Sequence, residues 1–535
     1  MGARNNSCLL VAFSLVVILI VQYARSPWRS VPPGPWGPPI LGQAMDFLDK
    51  RWLFGKDCKQ RFKDIMYLHC FGQPIVVFNS LKSATELLDR RASIYSSRPR
   101  FIMAHEILSG GLLAIFIPYG DLWRRTRRAA HESLTKLAVR DYHTILHKES
   151  VLLASALLER PDALEKHFER AAASAAMSIL YDYPTLETEN DKNLKEVHTF
   201  IDHMVWSASR TVFLVQLLPW LMNIPERQVL TPPRWKYEGR KSFMQYTRMF
   251  KSLLNQVHKD ISNGSERPSV SASLIKNFDR NGLSYQEMSW LVGTLYAAGS
   301  ETTSTTMYWW ALAMIAHPEV QKHAQAELDA VVGRSRTPTF SDAPDLPYIQ
   351  AVVKEILRWR PALPFALPHA TTEDDWYDGM FVPKGTLCLA NLWHCHHDPA
   401  YYGDDAANFN PQRFLDVEGK LIPGPGEARD EGHKAYGFGR RVCVGRHVAN
   451  DSLFIYVATI LWAMNLERVR DQDKNEVPLD LVTFIDTGMV LYVFHHPCVD
   501  FYIRYSKPVP FSCRTTPRFP EVFSILEEEK ELLKA

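Results

Sequence analysis

Hydrophobic and polar positions change their period along the chain, and the changes mark out its elements. Cys8–Ala24 (CLLVAFSLVVILIVQYA) is apolar almost without a break and carries no charge. At ~1.5 Å per residue it would span roughly 25 Å as a helix, close to the ~27 Å hydrocarbon layer of a thin bilayer. A single transmembrane helix is expected. A cleaved signal would have a shorter apolar region, about 7–15 residues, followed by a small-residue cleavage site; here Arg25 and a Pro-rich stretch follow. Val31–Gly42 (VPPGPWGPPILG) cannot be helical, because Pro fixes φ and lacks an N–H donor, and it reads as a semi-rigid spacer. Leu68–Asn79 (LHCFGQPIVVFN) places two short apolar runs around Gly72–Pro74, the pattern of a hairpin.

Helical spacing dominates from Asp121 to Val332. Pro161 and Asp162 open a run of helix formers, ALEKHFERAAASAAMSILY. Thr231–Trp235 (TPPRW) reads as a connection and Ser262–Pro268 (SNGSERP) as a polar loop. Ser284 stands three residues before Glu287, a capping-box spacing. The helix it opens runs to Ala316, ahead of Pro318, and would be roughly 48 Å long. Pro347 opens a helix over Tyr348–Trp359, which Pro361 ends. Short strands are expected between Ala366 and Asn391 and a last helix over Arg446–Met464. The sum is a mainly α fold with a small β subdomain. Its expected parts are a membrane anchor (1–25), a Pro-rich linker (26–42) and one large domain (43–535), with no internal repeat.

Composition narrows the class. Of 535 residues 46% are apolar and 22% charged, an ordinary globular balance that excludes a disordered or fibrous chain. Lys plus Arg number 61 against 59 Asp plus Glu, so a net charge of +2 argues against a nucleic-acid partner. Eight cysteines in this length are too few for a disulfide scaffold.

The densest chemical signal is Tyr436–Gly445, YGFGRRVCVG. Gly437, Gly439 and Gly445 permit tight backbone paths and close approach of a large flat ligand. Cys443 stands just before a helix start, where the helix dipole, Arg440 and Arg441 are expected to lower its pKa toward thiolate.

This segment resembles the haem-binding loop of the cytochrome P450 family, the haem-thiolate monooxygenases. The resemblance implies that family's fold and a haem b cofactor, iron protoporphyrin IX. Cys443 would be the axial iron ligand, Tyr436 and Gly437 part of the haem loop, and Arg441 a partner of a propionate. In that family the thiolate donates electron density and favours O–O cleavage. The family usually carries Phe where this chain has Tyr436; the added hydroxyl is expected to alter haem potential.

Further landmarks follow the same resemblance. Ala298–Thr303 (AGSETT) is similar to the oxygen-activation motif. Gly299 would leave room for a small ligand, Thr302 would hold dioxygen, and Glu301 would relay protons. Glu355 and Arg358, three apart on one helix, with Arg413 in FNPQRF, are similar to the Glu–Arg–Arg triad that locks the fold behind the haem. Trp123 and Arg127 (in WRRTR), Arg98 (in SSRP) and His369 (in LPHA) resemble contacts to the propionates. His394, Cys395, His396 and His397 look like a metal tract, but neighbours point different ways. They are read as structural, as are His495, His496 and Cys498.

The implied reaction is monooxygenation, one oxygen atom of O2 entering an organic substrate. The chain has no strand-linked GxGxxG, so electrons are expected from a separate NADPH-dependent cytochrome P450 reductase. Arg124, Arg125, Arg128, Lys434 and Arg440 are candidates for its docking face. Cytosolic NADPH would set the anchor in endoplasmic-reticulum lipid with the domain in the cytosol. The pattern resembles microsomal members, nearest to those of fungal secondary metabolism. A small, mostly apolar substrate is expected, a terpenoid, polyketide or alkaloid. Its walls would come from Phe101–Ile117, Trp206–Trp220, Tyr296–Ser300, Ala362–Leu367 and Phe484–Met489. Phe365 and Phe484 would form an apolar roof; Asp486 is either a turn residue or a reader of a polar group. Two alternatives remain: a haem-thiolate isomerase or dehydratase needing no external electrons, against which Glu301 and Thr302 argue, and a non-enzymatic haem carrier or sensor.

Overall fold

The computed structural model describes residues 21–22, 25–38, 42, 62, 64–186, 188, 191–208, 214–224, 234–428, 431–471, 473, 475–481, 484–485 and 506–533. The expected membrane anchor (1–25) lies outside these residues apart from Val21, Gln22 and Arg25; so do Asp486, His495, His496 and Cys498. Among the described residues no helix is long and apolar enough to cross a membrane.

A short antiparallel hairpin begins the domain. Strands β1 (Ile65–Cys70) and β2 (Gln73–Phe78) pair with Ile65 opposite Phe78. Phe71 (φ 49°) and Gly72 (φ 78°) make the turn, both in the left-handed region that a two-residue hairpin requires. The Pro-rich stretch lies along this sheet: Tyr67 N–H donates to Pro33 O at 3.0 Å. Helices follow: α1 (Asp121–Ser133), α2 (His143–Glu159), α3 (Leu164–Tyr181), α4 (Lys192–Ala208), α5 (Arg234–Ser262), α6 (Tyr285–Ala316), α7 (Pro318–Val331) and α8 (Pro347–Trp359). Arg234 and Trp235, expected in a connection, instead open α5.

Four short strands come next: β3 (His369–Ala370), β4 (Asp375–Tyr377), β5 (Met380–Val382) and β6 (Leu387–Ala390). Strands β1, β2, β6 and β3 form one sheet in that order, with β2 and β6 parallel. Then come α9 (Arg446–Ala463) and four further short strands: β7 (Met464–Arg468), β8 (Phe484–Ile485), β9 (Lys507–Pro508) and β10 (Cys513–Pro517). Strand β7 pairs with β10 and β8 with β9.

The long helix α6 starts as its sequence requires. The Ser284 hydroxyl accepts from Glu287 N–H at 3.2 Å, and the Glu287 carboxylate accepts from Ser284 N–H at 2.6 Å. Along its length α6 is apolar on nearly every face, and Trp290, Trp309 and Trp310 are wholly buried. Such a helix belongs in the middle of a protein. Accordingly α3, α5, α8 and α9 all pack against it. The second helix of this kind is α9, buried from Ser452 to Ala463. The space between the cavity-facing residues of these two helices is the site.

Candidate active site

One cavity of about 350 Å³ separates α6 from the start of α9. Ala298, Gly299 and Thr302 line one wall; Tyr436, Gly437 and Cys443 line the other. Helix α6 is unbroken through this stretch. The Thr302 hydroxyl donates to Ala298 O at 2.8 Å, so its proton is held in the helix. A Cβ on Gly299 would meet only Ala176, at 3.9 Å. Glu301 is not brought to the cavity. Its carboxylate is buried on another face of α6, 3.7 Å from His198 Nε2 on α4.

Four of the free cysteines described, Cys70, Cys388, Cys395 and Cys513, are buried; Cys443 is accessible, and it opens on the cavity. Its N–H donates to Tyr436 O at 2.8 Å, closing the loop ahead of α9. The expected lowering of its pKa is corrected here. Burial deep in the protein pushes the thiol up, against the Gly445 N–H and the charges of Arg127 and Arg446, which pull it down. The two arginines expected to help turn elsewhere. Arg441 donates to Ser96 O and Ile117 O, both at 2.8 Å, and Arg440 to the Tyr119 hydroxyl.

The glycines divide by role. Gly437 (φ 80°) and Gly445 have open space where a Cβ would point, so both leave the cavity clear. Gly439 serves packing instead: a Cβ there would lie 2.2 Å from Leu88 O. Asp89, beside Leu88, accepts from Gly439 N–H and from Lys434 Nζ at 2.6 Å. Nothing in the local sequence marks Asp89, which lies 345 residues before Lys434. The pairing also corrects the docking face, because Lys434 is buried against Asp89.

A row of cations lines the same cavity. Arg98 Nε donates to Ile115 O at 3.0 Å, and its Nη1 donates to Leu367 O at 2.9 Å and Pro368 O at 2.6 Å. Burial pushes Arg98 down to about 9. Burial and the neighbouring charges of Arg98 and Arg127 push Arg441 down to about 8. Arg127 is lowered too, by burial first. Among the described residues none of the three has a carboxylate partner. Trp123 is buried beside them, with the Arg441 guanidinium 4.5 Å from its ring centroid. His369 is buried and neutral, its pKa well below the usual value because burial disfavours the cation. Its Nδ1–H donates to Tyr95 O at 2.7 Å, leaving Nε2 as an acceptor. It occupies the expected place, but cannot donate to a carboxylate without gaining a proton.

Buried cations without counter-charge are unfavourable unless an anion completes them. Arg98, which is buried, and Arg127 and Arg441, which are partly so, stand beside a cysteine and two open glycines and fit a flat iron-binding dicarboxylate such as haem.

Behind the cavity the triad residues meet. Arg358 Nε and Nη2 donate to the two Glu355 oxygens at 2.6 and 2.7 Å. Arg413 Nε reaches Glu355 Oε1 at 3.1 Å. The remaining Arg358 donors hold the carbonyls of His396, Ala406 and Asn408. His396, from the tract read as structural, joins this cluster to the cysteine loop. Its Nδ1–H donates to Arg358 O, and its Nε2 accepts from Lys434 N–H at 2.9 Å. The expected aromatic roof is corrected at Phe365; the Phe484 side chain lies outside the described residues. Phe365 packs with the sheet cluster of Met66, Leu68 and Leu387 and does not line the cavity.

Fold and cavity together define a helical protein of the haem-thiolate kind. The family model described as Cytochrome P450 matches residues 32–491. A cytochrome P450 monooxygenase of Armillaria gallica is 48% identical over 525 residues, covering 98% of this chain and 97% of its own. Cytochrome P450 monooxygenase 58 of Postia placenta is 40% identical, covering 97% of this chain and 95% of its own. A zebrafish cytochrome P450 structure with abiraterone aligns at a TM-score of 0.67 and 22% identity, over 88% of this chain and all of that one. The chain belongs to the cytochrome P450 family, and it is a monooxygenase of that family.

Proposed function

We propose that the protein inserts one oxygen atom of O2 into a small, neutral, mostly apolar metabolite, taking electrons from a separate NADPH-dependent reductase. The observation that carries this is the cavity itself: Cys443 on one wall, Gly299 and Thr302 on the other, and, lining it, three arginines with no carboxylate partner among the described residues. Cys443 would hold the haem iron, and Arg98, Arg127 and Arg441 the propionates. Bound there, haem supplies oxygen activation, which no side chain can provide. Gly299 leaves space above the site, and Thr302 keeps a hydroxyl at that wall.

The aliphatic side chains Ile115, Met204, Leu291, Leu295, Leu363 and Leu367 line the cavity. Among the described residues no carboxylate does. The hydroxyls of Thr294, Thr302, Thr306 and Ser452 all donate to carbonyls of their own helices. Such a surface suits a terpenoid or polyketide skeleton better than a cationic alkaloid, which needs an acid partner. Arg124, Arg128 and Arg440 are exposed and would form the reductase face. The apolar N-terminal segment would anchor the protein in endoplasmic-reticulum membrane, and exposed Trp28 and Trp36 suit an interface with lipid.

The test is co-expression with a reductase and feeding with neutral and basic candidate substrates under labelled O2. One labelled oxygen atom per product, dependent on NADPH and lost in Cys443→Ser, is expected. Product formed without reductase and unaffected by Thr302→Ala would favour isomerase or dehydratase chemistry instead.

A further inference from the structure

A chain of hydrogen bonds leads from the cysteine loop to an acid at the surface. Tyr436 is partly buried in the cavity wall, and its hydroxyl donates to Asn450 Oδ1 at 2.6 Å. Asn450 Nδ2 donates to Glu431 Oε2 at 3.0 Å. Asn450 stands in the first turns of α9, just past Cys443. The Glu431 side chain is part-exposed, and its other oxygen lies 4.0 Å from Arg446 Nε. Its backbone carbonyl is fixed by Lys354 Nζ at 2.9 Å. At the inner end, Tyr436 O accepts the Cys443 N–H at 2.8 Å. Tyr436 is therefore bonded at both ends, its carbonyl to the Cys443 N–H and its hydroxyl, through Asn450, to the acid.

The direction of the chain is set by chemistry. A carboxylate can only accept, so the amide must turn its NH2 to Glu431 and its oxygen to the phenol. All the dipoles then align, and each bond polarises the next. The result is more electron density on the phenol oxygen and ring, on the cavity wall that also carries Cys443. An aromatic ring alone would fill this position. A phenol hydroxyl turned away from water without a partner would be costly, and the Asn–Glu pair supplies that partner.

We propose that Glu431 and Asn450 are positioning residues that act through the Tyr436 hydroxyl to raise electron density on the Cys443 side of the site, and so make the iron harder to reduce. The inference rests on the reading of Cys443 as the haem ligand. The step affected is a single-electron transfer from the external reductase to ferric haem, in which no bond of the chain is made or broken.

The experiment is a spectroelectrochemical titration of the full-length holoprotein, with haem content and Tm recorded for every variant. Glu431→Gln keeps the shape and removes the charge. It should shift the ferrous-to-ferric ratio at fixed potential by about threefold toward ferrous, roughly 28 mV at 59 mV per decade for one electron. Tyr436→Phe should shift it the same way. In the Tyr436→Phe background, Glu431→Gln should have little further effect. An unchanged midpoint in Glu431→Gln would overturn the proposal, as would a shift that persists undiminished without the hydroxyl, since the acid would then act through space. Glu431→Asp is the control for packing: a midpoint near that of the parent is expected, whereas a shift equal to that of the Gln variant would count against a charge effect. A chain that takes up no haem, or whose haem spectrum is unchanged by Cys443→Ser, defeats the ligand reading itself, a result distinct from any of these.

Discussion

Arg98 shows how a single side chain can prepare a site for a ligand. Three hydrogen bonds to Ile115, Leu367 and Pro368 fix its guanidinium in one pose. The fork also leaves Nη2 without a partner among the described residues. Lysine has the charge but not the fork. Arg98→Lys should therefore weaken haem retention about tenfold, near 1.4 kcal/mol, with the fold preserved. The rate of haem transfer to a scavenging apoprotein measures this, and an unchanged rate would remove Arg98 from the propionate site. Glu355 is a different kind of residue, wholly buried and held by two arginines. Glu355→Gln would leave Arg358 as an uncompensated buried charge, at a cost of about 3–5 kcal/mol. A Tm and a soluble yield close to those of the parent would contradict that.

At the scale of elements, the cysteine loop is held by segments far away in sequence. Asp89 clamps it through Gly439 and Lys434, and His396 ties it to the triad helix α8. Gly439 is where the packing is tightest. With φ at 53° and Leu88 O in the way, an added methyl group meets both backbone strain and a carbonyl. At Gly437 the same substitution meets strain alone, about 1–2 kcal/mol. Gly439→Ala should therefore yield little haem-loaded protein, while Gly437→Ala should fold with a lowered Tm. The relative haem content of the two purified variants checks this, and the opposite order would mean that the ligand's need for glycine at 437 outweighs the clash with Leu88 O at 439.

Across the whole molecule, histidines held neutral by burial couple stability to pH, among them buried His396 and His433 and partly buried His397. His396 is held well below its ordinary value, His397 is pushed down to about 2 and His433 to about 3, in each case chiefly by burial. Folded, they stay neutral; unfolded, they take up protons below about pH 6.5. Their contribution is thus complete above that pH and is lost as pH falls toward the folded values. The loss is on the order of 1 kcal/mol per histidine per pH unit. The Tm should fall steeply from pH 6.5 to 5, and His433→Gln should flatten that slope. A Tm that holds constant over the window would show that these rings are not buried in the native state.

Elements and the cysteine loop were legible in the chain because their causes are local. Ser284 and Glu287 cap α6 within one turn, prolines bound α8, and three glycines around Cys443 are a pattern of neighbours. Charge and hydrogen bonding at the site were not legible, because they depend on depth and on distant partners. A sequence places Arg440 and Arg441 beside Cys443, but only the fold turns them to Tyr119, Ser96 and Ile117 and brings Arg127 and Arg446 into play. Lys434 reads as a surface charge until Asp89, hundreds of residues earlier, is folded against it. Glu301 follows Gly299 by two positions, yet helical geometry turns it from the cavity toward α4. Spacing and residue type are properties of a line; burial, and the direction in which a side chain points, exist only once the line is packed in three dimensions.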